Sequence, residues 1–260
     1  MTGIFHPDPA RRFPDIARLS FGSFKIGRNE GIKYPSGYSL PSDSEVAELL
    51  NGVLDLGCNV IDTAPAYGIS EERIGRAIAH RRSEYVLCTK VGETFSAGQS
   101  TYDYSADAIR SSLQRSLQRL QTDHLDVVFI HSSGDDLRIL TETDVVPVLS
   151  EFRDQGTIRA IGLSGKTIAG AQLAMKWADA LMVEYNLHDQ SQADVITEAA
   201  DRGIAVFVKK GLGSGNYPAA ESIRFVLSHP GVSSLIVGGL SLTHFRDNWR
   251  VAVDLAAGRG

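Results

Sequence analysis

The strongest constraint in this chain is an alternation of two kinds of segment. Short apolar runs rich in β-branched residues recur along it, separated by amphipathic stretches with helical spacing. The runs are Arg18-Leu19-Ser20-Phe21-Gly22, Asn59-Val60-Ile61-Asp62, Tyr85 to Lys90, Asp126 to His131, Ala160 to Ser164, Leu181 to Tyr185, Ala205 to Val208 and Ser234 to Val237. Segments this short and this continuously apolar read as strands buried on both faces. Between them, Ser105 to Leu120 sets Ile109, Leu113, Leu117 and Leu120 on one helical face with polar residues opposite. Another helix has its ends written into it: Ser42 followed by Glu45 resembles a capping box, and Gly57 falls where a left-handed cap is expected. Similar patterns predict helices at 71–80, 143–155, 167–178, 190–202, 218–228 and 242–257.

Eight strand-to-helix alternations in 260 residues predict a single-domain α/β fold, the (β/α)8 TIM barrel, over residues 16–260. Residues 1–15, rich in Pro and Arg, read as an N-terminal arm over the closed end of the barrel. An open doubly wound sheet is the alternative, and it would need a G-x-G-x-x-G turn after the first strand. The glycine-rich segment instead follows the seventh strand, as Gly211-Leu212-Gly213-Ser214-Gly215, where a barrel places its phosphate loop. The long segments 91–104 and 132–142 read as loops.

A formal net charge of -5 built from interspersed charges gives no basic stripe for nucleic acid and no polybasic membrane patch. Nothing resembles a signal peptide or a membrane span, so a cytoplasmic setting is expected. The two cysteines, Cys58 and Cys88, sit in or beside apolar runs and read as buried free thiols. No His and Cys spacing suggests a metal site, and nothing demands assembly, so a monomer is the default expectation.

In a barrel, chemistry gathers at the carboxyl ends of the strands. Asp62, Lys90 and His131 each close a different apolar run, and Tyr67 lies five residues beyond Asp62 in a short loop. A phenol beside an ammonium is a plausible proton donor to a developing alkoxide, because the cation stabilises phenolate and lowers the phenol's pKa. Asp62 would hold Lys90, and His131 would orient a substrate carbonyl as a donor or as a partner in the proton relay. No side chain supplies a hydride, so this reading implies a nicotinamide cofactor. Taken singly, each of the four has an ordinary structural role open to it: a cap, a surface pair, a packed histidine or a loop aromatic. Their joint placement argues otherwise, since burying a lone lysine or aspartate is costly.

The segments Ile61-Asp62-Thr63-Ala64-Pro65-Ala66-Tyr67-Gly68, Ser70-Glu71, Cys88-Thr89-Lys90 and Ile130-His131 resemble the aldo-keto reductase signature in order and spacing. The resemblance runs from about Leu19 to Asn248 and includes Gly156 to Ser164 and Glu184-Tyr185-Asn186. It implies a barrel that binds NADPH, less often NADH, and passes hydride to an aldehyde or ketone or back. By the same resemblance Tyr67 is the general acid, Lys90 and Asp62 tune it, and His131 orients the carbonyl. Gly22, Ser23 and Phe24 lie beside the cofactor, Ser164 touches the nicotinamide carboxamide, and Leu212, Gly213 and Ser214 meet the pyrophosphate. Ser241, His244, Asp247 and Asn248 surround the adenosine end.

This chain departs from the pattern at several of those contacts. Gly165 replaces an asparagine, Met182 a glutamine, and Lys209 the aromatic residue that stacks on the nicotinamide. The Lys209 stem could cover the ring, its ammonium could reach phosphate, or it could point into solvent. From Val237 to His244, a stretch that includes Leu240, the single basic residue is His244, which leaves NADH as the alternative to NADPH. These changes also motivate a second function, a cofactor-binding sensor or accessory protein with little turnover; a lyase or isomerase on the same barrel is a third. Little chain follows the last helix, so segments 24–40, 91–104 and 132–142 are expected to shape the pocket, with Phe24, Phe95, Tyr102 and Tyr104 as lining residues.

Overall fold

The computed structural model describes residues 5, 6, 14–32 and 34–259. Strands β1 (Phe5–His6) and β2 (Ile16–Ala17) form an antiparallel ribbon. The barrel strands are β3 (Leu19–Gly22), β4 (Val60–Asp62), β5 (Val86–Val91), β8 (Leu125–His131), β9 (Ile158–Ser164), β10 (Ala180–Glu184), β11 (Ala205–Lys209) and β12 (Ser234–Gly238). Between β5 and β8 lies a second ribbon, β6 (Glu93–Ser96) with β7 (Gln99–Tyr102). The helices are α1 (Phe24–Gly27), α2 (Asp43–Asp55), α3 (Ser70–Ile78), α4 (Ala106–Leu120), α5 (Asp136–Glu142), α6 (Val145–Asp154), α7 (Ile168–Ala174), α8 (Ala193–Asp201), α9 (Ala219–Ser228) and α10 (Leu242–Ala256).

The barrel strands pair in parallel, and β12 returns to β3 with Leu235 opposite Leu19 and Gly238 opposite Gly22. That pairing closes the sheet and removes the open doubly wound alternative. Side chains alternate across the wall. Val60, Val86, Cys88, Val127, Phe129, Ala160, Met182 and Phe207 fill the interior, while Ile61, Leu87, Val128, Ile161, Leu181 and Val206 face the helices. Phe129 and Phe207 meet edge to face inside the barrel at 5.6 Å. At the seam between β3 and β12, Ser20 and Ser234 bond to one another inside the wall, and Ser234 Oγ donates to the Ala17 carbonyl at 2.6 Å. Cys58 and Cys88 are both fully buried and unpaired, as the sequence indicates.

Local signals explain several boundaries. Ser42 caps α2, with Glu45 returning a carboxylate to the Ser42 amide at 2.7 Å, so the capping box is formed. Gly57 has φ +94°, the left-handed turn expected after the helix. The helix expected at 71–80 becomes α3 followed by a 3₁₀ turn over Ala79–Glu84, and α7 and α8 are shorter than 167–178 and 190–202. Segments 91–104 and 132–142 hold the β6–β7 ribbon and α5 where loops are expected. Of the expected arm, residues 1–4 and 7–13 lie outside the described residues. The part described pairs with β2, whose Ile16 enters the interior cluster beside Val60 and Val86 at the amino end of the strands. Among the described residues no helix is long and apolar enough to cross a membrane.

Candidate active site

The inward-pointing residue at the carboxyl end of each strand follows from the alternation. Below lie Val60, Cys88, Phe129, Gly162, Met182 and Phe207. Two residues further on stand Asp62, Lys90, His131, Ser164, Glu184 and Lys209, with Gly22 and Gly238 completing the ring. An apolar interior therefore ends in a polar layer, and a cavity of about 660 Å³ opens above it.

Asp62 and Lys90 are both buried, and Lys90 Nζ donates to Asp62 Oδ1 at 2.6 Å and to the Thr63 carbonyl at 2.9 Å. Burial alone would lower the Lys90 pKa, but Asp62 and the adjoining Tyr67 hold it above the ordinary lysine range, so the ammonium persists. Its Nζ lies 4.7 Å from the centre of the Tyr67 ring. Tyr67 is placed by its loop. Its amide bonds the Ala64 carbonyl at 2.9 Å, and Ile69 N reaches the Gly27 carbonyl at 3.2 Å. That contact brings the loop against α1 so closely that a side chain at Gly27 would overlap the Tyr67 carbonyl and Ser70 backbone. Phe24 packs edge-on against Tyr67 at 5.1 Å, and His131 faces it at 6.4 Å.

The Lys90 ammonium lowers the Tyr67 pKa as expected, but the net value is raised. Burial pushes the phenol up to about 12, and Lys90 offsets only part of that shift. Tyr67 is accordingly a fully protonated donor at neutral pH. It remains competent, because an alkoxide is far more basic than a phenolate. Burial likewise pushes His131 down to about 4, so its imidazole is neutral. His131 Nδ1 lies 2.7 Å from Glu93 Oε2, and the Tyr104 hydroxyl donates to the His131 carbonyl at 2.8 Å.

Lys209 does not point into solvent. Its Nζ crosses the barrel mouth to donate to Ser164 Oγ and the Gly165 carbonyl, each at 2.9 Å. Burial and the neighbouring cations Lys210, Lys90 and Lys166 lower its pKa to about 7, with Glu184 opposing. Of the expected cofactor residues, Gly22, Phe24, Ser164, Lys209, Leu212 and Ser214 line the cavity together with Asp62, Tyr67, Lys90 and His131. Gly213 lies in the adjoining turn, where Gly213, Ser214 and Gly215 all have positive φ. Ser23 is buried instead and takes a hydrogen bond from Ser70 Oγ at 2.7 Å, tying the β3 end to α3. Ser241, His244, Asp247 and Asn248 lie at the start of α10, outside the cavity lining, with Ser241 capping the helix through His244 N at 3.2 Å. Phe24 and Tyr102 line the cavity. Phe95 supports it by stacking on Arg28, whose guanidinium carbon is 3.3 Å from the ring centre. Tyr104 acts from beneath His131.

Two site residues escaped the sequence reading. Glu184 belongs to the same inner layer, two residues beyond Met182, and pairs with Lys210. Counting alternate residues along the strand finds it. Glu93 sits in a segment that reads as a loop, where a carboxylate looks solvated, yet it is buried.

The fold and the site together define a barrel enzyme with an acid-base cluster at the carboxyl end of a parallel sheet. The chain belongs to the aldo-keto reductases: the Aldo/keto reductase family pattern matches residues 18–222. Members of this family use nicotinamide cofactors. A Pseudomonas aeruginosa structure assigned to the same family is 40% identical, superposes with a TM-score of 0.88, and covers 97% of this chain and 95% of its own. Among curated proteins, D-arabinose 1-dehydrogenase of Saccharomyces cerevisiae is 35% identical over 49% of this chain and 38% of its own length. L-galactose dehydrogenase of Arabidopsis thaliana is 26% identical over 77% of this chain and 63% of its own. The chain thus spans less than two thirds of these two relatives.

Proposed function

We propose that this protein is an NAD(P)H-dependent oxidoreductase that reduces an aldehyde or ketone, or oxidises the corresponding alcohol, with Tyr67 as the general acid or base. The observation that carries this reading is the convergence of a protonated buried phenol, a buried Lys90–Asp62 ion pair and a neutral His131 on one cavity. Reduction needs a proton at the carbonyl oxygen as negative charge develops there, and Tyr67 donates it while Lys90 stabilises the phenolate left behind. Asp62 fixes the ammonium in place. In oxidation the same groups run in reverse.

The cavity chemistry suits a nicotinamide dinucleotide. Lys25, Arg28, Lys166 and Lys209 line it, and among the described residues no carboxylate forms an ion pair with any of them. In the turn at Gly213–Gly215 the Gly213 and Gly215 amides donate to the Lys210 and Leu212 carbonyls at 2.8 and 2.9 Å, and Ser214 and Gly215 border the cavity beside these cations. Ser164 and Lys209 would hold the nicotinamide end, Leu212, Gly213 and Ser214 the pyrophosphate, and Ser241, His244, Asp247 and Asn248 the adenosine end. When bound, the cofactor supplies or accepts the hydride.

NADPH is the proposed partner on family grounds, and the absence of Lys or Arg between Val237 and His244 makes NADH the alternative. Titrating the protein with each cofactor, following the fluorescence of Trp177 and Trp249, decides between them. Saturable binding, then cofactor oxidation when a panel of aldehydes and ketones is added, is the expected result. Failure of both cofactors to bind contradicts the proposal.

A further inference from the structure

Lys209 ends β11 in the inner layer of the barrel mouth, and its side chain crosses to the end of β9, where Nζ donates to Ser164 Oγ and the Gly165 carbonyl at 2.9 Å each. Both acceptors are neutral. The carboxylates of the same layer are already taken, Glu184 on β10 by Lys210 and Asp62 on β4 by Lys90. Lys166, from the segment after β9, adds another cation, its Nζ donating to the Ser133 carbonyl at 2.9 Å. On the other side of β11, β12 and β3 end in Gly238 and Gly22, which bring no charge to the mouth. Among the described residues the Lys209 ammonium is therefore uncompensated within its layer, and its field reaches Lys90, Asp62 and His131 across the mouth.

Hydride transfer changes the charge of a nicotinamide ring by one unit: the reduced ring is neutral and the oxidised ring is a cation. For hydride to reach a carbonyl carbon whose oxygen takes a proton from Tyr67, the ring must lie in contact with that carbonyl. It must then sit at the mouth that Lys90, Asp62 and His131 share with Tyr67. A charge that acts on those three residues acts on the ring between them as well. In a cavity walled by protein, two like charges several ångströms apart repel far more strongly than in water.

We propose that Lys209 makes the site select the reduced cofactor over the oxidised one, by placing an unpaired ammonium beside the ring that becomes cationic when hydride leaves. This rests on the reading that a nicotinamide dinucleotide occupies the cavity and serves the carbonyl at Tyr67. Lys209 is thus a specificity-determining residue for redox state. The consequence is directional: the protein releases its cofactor readily after a reduction and binds it poorly for an oxidation. The selection is also tied to pH. Burial and the cations Lys210, Lys90 and Lys166 lower the Lys209 pKa to about 7 against the opposing Glu184, so the charge present at pH 6 is lost by pH 9. Over that range His131, held down at about 4 by burial, and Lys90, held above the ordinary lysine range by Asp62 and Tyr67, keep their charge states.

Equilibrium binding to the full chain tests this without turnover. Isothermal titration calorimetry at pH 6 and pH 9 gives Kd for both redox forms of one cofactor, NADP⁺ with NADPH or NAD⁺ with NADH. The two forms share every phosphate, so the ratio of oxidised to reduced Kd isolates the charge on the ring. In the wild type this ratio should be about five- to tenfold larger at pH 6 than at pH 9, the ceiling being set by release of the Lys209 proton. Lys209→Met should stay within about twofold of the wild-type pH 9 ratio at both pH values. Lys209→Arg, which keeps its charge, should reach or exceed the wild-type pH 6 ratio at both. A wild-type ratio that moves less than about twofold with pH, or one that Lys209→Met leaves unchanged at pH 6, overturns the proposal; the reductase reading then stands, because both forms bind. If no form of either cofactor binds, that reading and the proposal fall together.

Discussion

At the residue scale, the site depends on how each buried charge is compensated. Lys90 and Asp62 satisfy one another at 2.6 Å, while Lys209 has two neutral oxygens for its ammonium and only a distant opposing carboxylate. Its pKa of about 7 in the folded chain, against 10.5 ordinarily, has a thermodynamic consequence. Between these values the unfolded chain holds a proton that the folded chain has released, so stability rises with pH across that window. Below it both states are protonated, and the full cost of burying the cation remains. Lys209→Met should therefore be more stable than the wild type at pH 6, by about 2 kcal/mol after the lost hydrogen bonds are counted, with the gain shrinking toward pH 10. Urea unfolding at the two pH values checks this, and a gain independent of pH would contradict the assigned titration. His131 and Glu93 work in the same direction at lower pH: with values lowered from 6.5 to about 4 and from 4.5 to about 2, each makes stability fall as the pH drops across its window.

At the scale of elements, what was legible in the sequence followed signal strength. The barrel strands announce themselves because a wall buried on both faces demands continuous apolar residues, and the polar residue ending each run marks the mouth. The β6–β7 ribbon was not legible, since β7 is wholly exposed and carries no hydrophobic pattern. Its turn at Ala97-Gly98, both at positive φ, and its flanking Thr, Phe and Tyr residues were the available cues. Glu93 was lost with it. Helix α5 is only two turns long, too short for periodicity to show, and its purpose appears in Asp136. That buried carboxylate accepts from Ser132, from Lys166 N at 2.9 Å, and from Thr167 N and Oγ1 at 2.7 Å each. It joins the loop after β8 to the loop after β9, both of which border the cavity. Asp136→Ala should cost about 2 kcal/mol in urea unfolding, because it leaves the buried Ser132 hydroxyl and the half-buried Lys166 and Thr167 amides without their acceptor. It should also speed hydrogen exchange at Lys166 and Thr167; unchanged exchange there would contradict the role.

For the whole molecule, the closed parallel barrel turns one-dimensional alternation into a site. A wall with side chains alternating in and out, and strands that all run the same way, brings Asp62, Lys90, His131, Ser164, Glu184 and Lys209 to one layer although they are spread over half the chain. The placement of Asp62, Lys90 and His131 at strand ends was readable residue by residue for that reason. The position of Lys209 Nζ, on Ser164 Oγ and the Gly165 carbonyl, was less so, because spacing does not reveal a side chain's course across the mouth. The central claim is that Tyr67 delivers the proton while other residues hold the cofactor, and Tyr67→Phe tests it most directly. Single-turnover hydride transfer from bound NADPH or NADH to a reducible carbonyl should fall by roughly a thousandfold, with cofactor affinity changed less than about threefold. Undiminished transfer in Tyr67→Phe would contradict the account.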